Sequence, residues 1–216
     1  MIHIKKAVEP TDLTHYRLST PEASYDGLPT DIKEEIKLQL LKEQGFICAY
    51  CMSRIDLDNP NNTNIEHYVP QRGAYSDPSL ALDYRNMLGV CPGNEGKPYR
   101  NQTCDRHRRN VMLTINPHIS YSVERIKYSS DGRIMSDDPD VDRDLDKVLN
   151  LNEALLKENR KAALSVLEKE LIKKKAHGAW KELARRYIHK LSSADKKTPF
   201  CGILLWRLYK LSSKTS

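Results

Sequence analysis

Cys48-x-x-Cys51, Glu66-His67, Asn86, Cys91 and Cys104-Asp105-x-His107 place two kinds of chemistry within about sixty residues. Thiolates are soft ligands that select zinc, and four around one ion make a closed structural site with no open coordination position. Cys48 and Cys51 have the usual two-residue spacing, whereas twelve residues separate Cys91 from Cys104. That interval, PGNEGKPYRNQT, carries two Gly and two Pro, so it reads as a loop able to fold back and bring both sulfurs to the same ion. The fifth cysteine, Cys201, lies in an apolar run near the C-terminus and is expected to be a buried small side chain. With zinc held by sulfur, Glu66, His67, Asn86, Asp105 and His107 are left over. They are the types that bind a hard divalent cation and move a proton near neutral pH.

Bulk properties bound the setting. The 216-residue chain can bury one sizeable core, or a metal-stapled module beside a helical unit. MIHIKKAVEP has no apolar run of leader length, and no segment approaches a membrane span, so a soluble, cytoplasmic protein with no membrane contact is expected. Formal charge is +6 with a pI near 9.0, which favours a polyanionic partner without establishing one. Its distribution says more: Arg100, Arg106, Arg108 and Arg109 surround the second half of the cysteine cluster as candidate phosphate contacts, and Tyr68 and Tyr99 could stack on bases or simply pack. The acidic stretch from Asp137 to Asp146 lacks the Gly and terminal Glu of an EF-hand and reads as a solvated linker and helix start. His3, His15, His118, His177 and His189 are scattered at ordinary positions and earn no role.

The elements that must position these residues divide the chain in three. Residues 1–30, broken by Pro10, Pro21, Gly27 and Pro29, read as an extended arm, a candidate for docking on a partner. Residues 31–136 form the metal-bearing module. It starts with a helix from Asp31 to Gln44, capped by Thr30 and stopped by Gly45, and continues through a strand or knuckle at Phe46–Tyr50. A loop over Asp58–Thr63, a strand at Ile65–Val69 and an Asn86 segment leading to Cys91 follow. A short helix is expected from Asp105, and a hairpin from Val123–Tyr128 across SSDG to Arg133–Met135. Residues 137–216 are helical, with apolar positions at helix spacing over Asn152–Lys175, Ala179–Leu191 and Phe200–Leu211. The fold class is therefore α+β.

The order CAYC, EHYVP, DYRNML before Cys91, and a Cys followed by Asp resembles the HNH endonucleases, the beta-beta-alpha metal finger, over roughly residues 46–110. The resemblance implies that His67 is the general base and Glu66 a ligand of the catalytic metal, Mg2+ or Mn2+. It also implies that Asn86 holds the loop that orients His67 and that Asp105 is the second ligand. His107, two residues on, could take the ligand role, contact a phosphate or cap local structure, and the lysine usual after the last Cys is replaced by the Arg108-Arg109 neighbourhood. Leu149-Asn150-Leu151-Asn152 and the MIHIKK start extend the likeness to the PtuB subfamily of Septu and retron anti-phage systems. That subfamily implies a PtuA-type ATPase partner related to ABC and SMC proteins. In retron versions it also implies a reverse transcriptase with its RNA–DNA product. The expected function is thus a nucleic-acid hydrolase acting as a defence effector, on DNA by family default or on tRNA or other RNA. The competing reading is a non-catalytic zinc-finger binding or scaffold subunit, which needs the thiols and arginines but not Glu66-His67 with Asp105.

Overall fold

The computed structural model describes residues 1–58, 62–175 and 180–213. Two helices lead, α1 (Thr11–Ser19) and α2 (Thr30–Gln44). Thr30 is the first residue of α2 and not its cap; Pro29 precedes it with no side-chain cap hydrogen bond, its fixed φ setting the entry. At the other end Gly45 adopts φ 67°, the left-handed stop the sequence predicts. Part of the expected Asp58–Thr63 loop, residues 59–61, lies outside the described residues, as do His177 and Ala179.

Two small antiparallel pairs supply the strands. β1 (Asn64–His67) pairs with β2 (Met87–Val90), placing Glu66 opposite Leu88 and His67 opposite Met87. After β2 come α3 (Cys104–Arg108) and α4 (Ser120–Glu124), then the hairpin of β3 (Ile126–Tyr128) and β4 (Ile134–Ser136). The hairpin is shorter than expected because Val123 belongs to α4. α5 (Pro139–Arg143) begins on Asp138, whose carboxylate accepts from the amides of Asp140 and Val141, and runs into a π-helical turn over Asp144–Val148. The acidic stretch is not solvated throughout: Asp144 is fully buried and accepts from the amides of Thr114 and Ile115. α6 (Ala154–Lys175), α7 (Trp180–Ser193) and α8 (Cys201–Ser213) complete the chain. Among the described residues no helix is long and apolar enough to cross a membrane.

One apolar core runs through all three segments, from Met1 and Ile4 past Ile47, Leu88 and Ile134 to Leu164 and Leu208, with Cys201 fully buried in it. The N-terminal residues are therefore packed rather than extended into solvent, and α1 joins α2 in a second cluster of Leu13, Leu28, Ile36, Leu40, Tyr84 and Met87. The helical end is tied directly to the metal knuckle, where the Phe200 amide donates to the Met52 carbonyl (3.0 Å) and that of Lys197 to Gly45 (2.9 Å).

Candidate active site and metal centre

The first cysteine pair sits on a tight turn straight after α2. Ile47 bridges to Arg54, the Met52 amide closes on the Cys48 carbonyl at 3.0 Å, and Met52 takes φ 64° to make the reversal. Gln44, the last residue of α2, is buried and braces this turn against β2. Its amide donates to the carbonyls of Ile47 (3.0 Å) and Gly89 (2.8 Å), and its carbonyl accepts from the Gly89 amide (2.7 Å). Cys91 follows β2, and the loop after it returns through the Thr103 amide on the Gly93 carbonyl (2.9 Å) to present Cys104 at the head of α3.

The four sulfurs meet: all lie within 4.8 Å of one another, with Cys48–Cys104 at 3.9 Å, Cys51–Cys91 at 3.6 Å and Cys91–Cys104 at 3.7 Å. A tetrahedron with Zn–S bonds of about 2.3 Å has edges of about 3.8 Å, so the cluster has the dimensions of a closed zinc site. None of the cysteines is in a disulfide. Hydrogen bonds from Cys104, Cys48 and Cys91 hold the Cys51 thiol well below its ordinary range, while Cys104 is pushed well above it by Cys48 and the other neighbours. Four sulfurs this close form a donor set that suits a soft or borderline cation, which would hold them as thiolates.

Beside the thiols, Glu66, His67 and Asp105 line one cleft of about 210 Å³ together with Tyr25, Gln71, Arg72, Arg109 and Asn110. Adjacent strand residues point to opposite faces. Glu66 and His67 nevertheless reach the same cleft, because His67 is the last residue of β1. The imidazole is buried, and its Nε2 lies 2.9 Å from the Ala81 carbonyl, which can only accept. Nε2 therefore carries the proton and Nδ1 the lone pair; the 3.4 Å approach of the Gln71 amide to Nε2 is the weaker contact and yields to it. Burial lowers the His67 pKa, opposed by the Ala81 carbonyl and the Asp105 charge, so the ring is neutral at pH 7.

Asn86 acts on the backbone. Its carbonyl accepts from the Val69 amide at 2.7 Å, and its amide donates to the carbonyls of Val69 (3.1 Å) and Leu80 (3.2 Å). It thus ties the end of β1 to the segment that carries Ala81. Glu66 and Asp105 lie against each other, and burial, followed by Asp105, pushes Glu66 up to about 8 despite the neighbouring Arg108. Two carboxyls sharing a largely buried site have the chemistry of a hard-cation ligand pair.

His107 is not part of this cleft. Its Nδ1 donates to the Val148 carbonyl at 2.9 Å, and its ring stacks on Tyr99 at 4.2 Å with an interplanar angle of 12°. Tyr99 also has the Arg109 guanidinium over its ring at 4.6 Å, so the aromatic surface that the sequence offered to bases is engaged within the chain. The four arginines divide as well. Arg100, Arg106 and Arg109 are exposed, with Arg106 paired to Glu95 at the surface, and Arg109 reaches the cleft. Arg108 is not a surface phosphate contact: it is 1% exposed, and its donors go to Glu66, Tyr50, the carbonyls of His67 and Tyr68, and that of Val111. Tyr68 likewise is buried, its hydroxyl donating to the Leu113 carbonyl at 2.8 Å.

Three supporting residues carried no signal as ligands or bases. Tyr50, inside CAYC, donates its hydroxyl to Glu66 at 3.1 Å. Asn150 and Asn152 anchor rather than react: Asn150 donates to the carbonyls of Arg100 (3.0 Å) and Gln102 (2.8 Å) in the second cysteine loop, while Asn152 pairs with both backbone groups of Ile134.

No protein-family profile matches the chain. Among curated proteins, a "Retron Ec83 putative HNH endonuclease" from Escherichia coli is 25% identical over 118 residues, which are 50% of this chain and 46% of that protein. The chain thus spans about half the length of the curated relative it matches. That likeness and the metal-capable cysteine cluster support a nuclease-type, metal-binding role in general terms.

Proposed function

We propose that the chain is a metal-dependent HNH endonuclease that hydrolyses phosphodiester bonds of nucleic acid, built on a zinc-stapled beta-beta-alpha core of β1, β2 and α3. The observation that carries this reading is the cleft in which a neutral His67 faces the same space as the Glu66–Asp105 carboxyl pair, next to the four thiols. A relative carrying the HNH name adds to it.

His67 is the general base. The Ala81 carbonyl holds Nε2–H, so Nδ1 takes the proton of the attacking water, and Asp105 stabilises the imidazolium that forms. Glu66 and Asp105 would hold one Mg2+ or Mn2+, which when bound supplies positive charge to the scissile phosphate and the leaving oxygen. Arg108 keeps Glu66 in place from beneath, and Asn86 fixes the loop behind His67. Arg109 and Arg106 contact the phosphodiester backbone without reading its sequence, which leaves DNA and RNA both open as substrates. By its resemblance to the PtuB subfamily at Leu149-Asn150-Leu151-Asn152, the chain works as a toxic effector in anti-phage defence. It acts beside a PtuA-type ATPase and, in a retron setting, under restraint by a reverse transcriptase and its RNA–DNA product.

The test is cleavage of labelled double-stranded DNA, single-stranded DNA and total tRNA by the chain, alone and with its cognate ATPase, in Mg2+ or Mn2+. Metal-dependent products lost in Asp105→Ala support the reading and name the substrate. Absence of products from the reconstituted complex, with zinc bound and the fold intact, sinks it.

A further inference from the structure

The connection between α1 and α2 lies on the cleft. Tyr25, at its centre, meets His67 edge to face, with ring centroids 4.5 Å apart and planes at 88°. His67 has one hydrogen bond of good length at its ring, from Nε2 to Ala81, and a ring held at one point can still swing about it. A second contact at right angles removes that freedom and sets where Nδ1 faces.

Tyr25 is itself firmly placed. The Leu28 amide closes on the Tyr25 carbonyl at 3.2 Å and the Gly27 amide on Ser24 Oγ at 3.2 Å, while Tyr16 of α1 donates its hydroxyl to the Ser24 carbonyl at 3.1 Å. From α2, the Lys33 ammonium lies 5.2 Å from the ring centroid. The ring also packs against the cluster of Leu13, Ile36 and Met87, so its position is set by the α1–α2 packing and not by a free loop. Tyr25 further lines a neighbouring cleft of about 580 Å³ with Arg17, Gln71 and Arg72, and so stands where the two clefts join.

We propose that Tyr25 is a positioning residue for His67, its ring fixing the imidazole plane so that Nδ1 faces the space shared with Glu66 and Asp105. The proposal rests on the reading of His67 as the base. It assigns the segment before residue 30 to the active site, where the sequence suggested partner docking. The contact with the imidazole is made by the ring, and burial, with Asp26 and Glu66 nearby, keeps the hydroxyl protonated.

The test uses the full chain with Tyr25→Phe and Tyr25→Leu. Nitrogen-edited NMR of the histidine rings reads the geometry without any cleavage assay. The wild type and Tyr25→Phe give one set of His67 ring signals with the proton on Nε2, while Tyr25→Leu gives averaged or doubled signals. In cleavage, kcat of Tyr25→Leu falls roughly ten- to a hundredfold, as expected for a displaced base, with KM unchanged, and Tyr25→Phe retains wild-type kcat. Tyr25→Met replaces Tyr25→Leu if the latter fails to fold. Unchanged His67 signals in the leucine or methionine variant overturn the proposal, as does a Tyr25→Phe variant as impaired as either. If no substrate is cut by any form, the nuclease reading fails while the ring signals still decide what Tyr25 does.

Discussion

Arg108 carries a charge into the interior and uses it to hold Glu66, Tyr50 and the backbone around His67 in one arrangement. Glu66, already pushed up to about 8, can take a proton when Arg108 is removed, so the loss comes from the buried carbonyls of His67, Tyr68 and Val111 left without a donor, which costs about 1–3 kcal/mol. Arg108→Ala should therefore lower the unfolding free energy by about that amount in urea titration; a loss below about 1 kcal/mol would show that the guanidinium is dispensable. Arg109→Ala, one residue on and exposed, should leave stability nearly unchanged. His118 gives a pH signature. Burial, aided by the nearby Lys6 charge, drives its pKa down to about 4. An unfolded histidine titrates near 6.5, so below that pH the unfolded chain holds the extra proton, and stability is lost as pH falls from about 6.5 to about 4. Thermal midpoints measured across this window should drop towards acid in the wild type and less steeply in His118→Gln; parallel curves would contradict the assignment.

At the scale of elements, the cysteine spacing made a four-sulfur site legible, because thiol ligands advertise themselves by type and the Gly- and Pro-rich interval announced its own return. The supporting hydrogen bonds were not legible. Gln44 and the Asn150–Asn152 pair act on backbone groups far along the chain, and an amide that braces a carbonyl looks in sequence like any surface amide. Arg108 was read as a surface cation because its neighbours Arg106 and Arg109 are; on a five-residue helix only geometry separates the buried face from the exposed one. The purified chain should contain one zinc per molecule, and Cys104→Ser should lose the metal together with the cooperative thermal transition, since zinc binding and folding are one equilibrium in such modules. Metal-free protein with an unaltered melting curve would refute a structural zinc. In the β3–β4 hairpin Gly132 takes φ 86°, and an added Cβ would lie 2.1 Å from the Lys157 carbonyl. Gly132→Ala should destabilise by more than about 1 kcal/mol in chemical denaturation, and a neutral effect would show that the hairpin moves off α6 at little cost.

Taken whole, the molecule does not separate along the boundaries that composition suggested near residues 30 and 137, because a single core threads them. Composition shifts mark changes in element type, whereas a domain boundary requires that few contacts cross it, and here α8 packs on β3 while the residues before it bond to the cysteine knuckle. The helical end thus serves as a buttress for the metal module and the N-terminal segment as a wall of its cleft. The proposed reaction requires His67 as the base of a hydrolytic site. The most direct measurement is the single-turnover cleavage rate of His67→Ala against wild type in saturating Mg2+, in the active assembly, with zinc content and melting curve matched. A loss of at least about a hundredfold with substrate binding retained is the predicted result. A rate within a few fold of wild type would rule out His67 as the base and place the chemistry elsewhere.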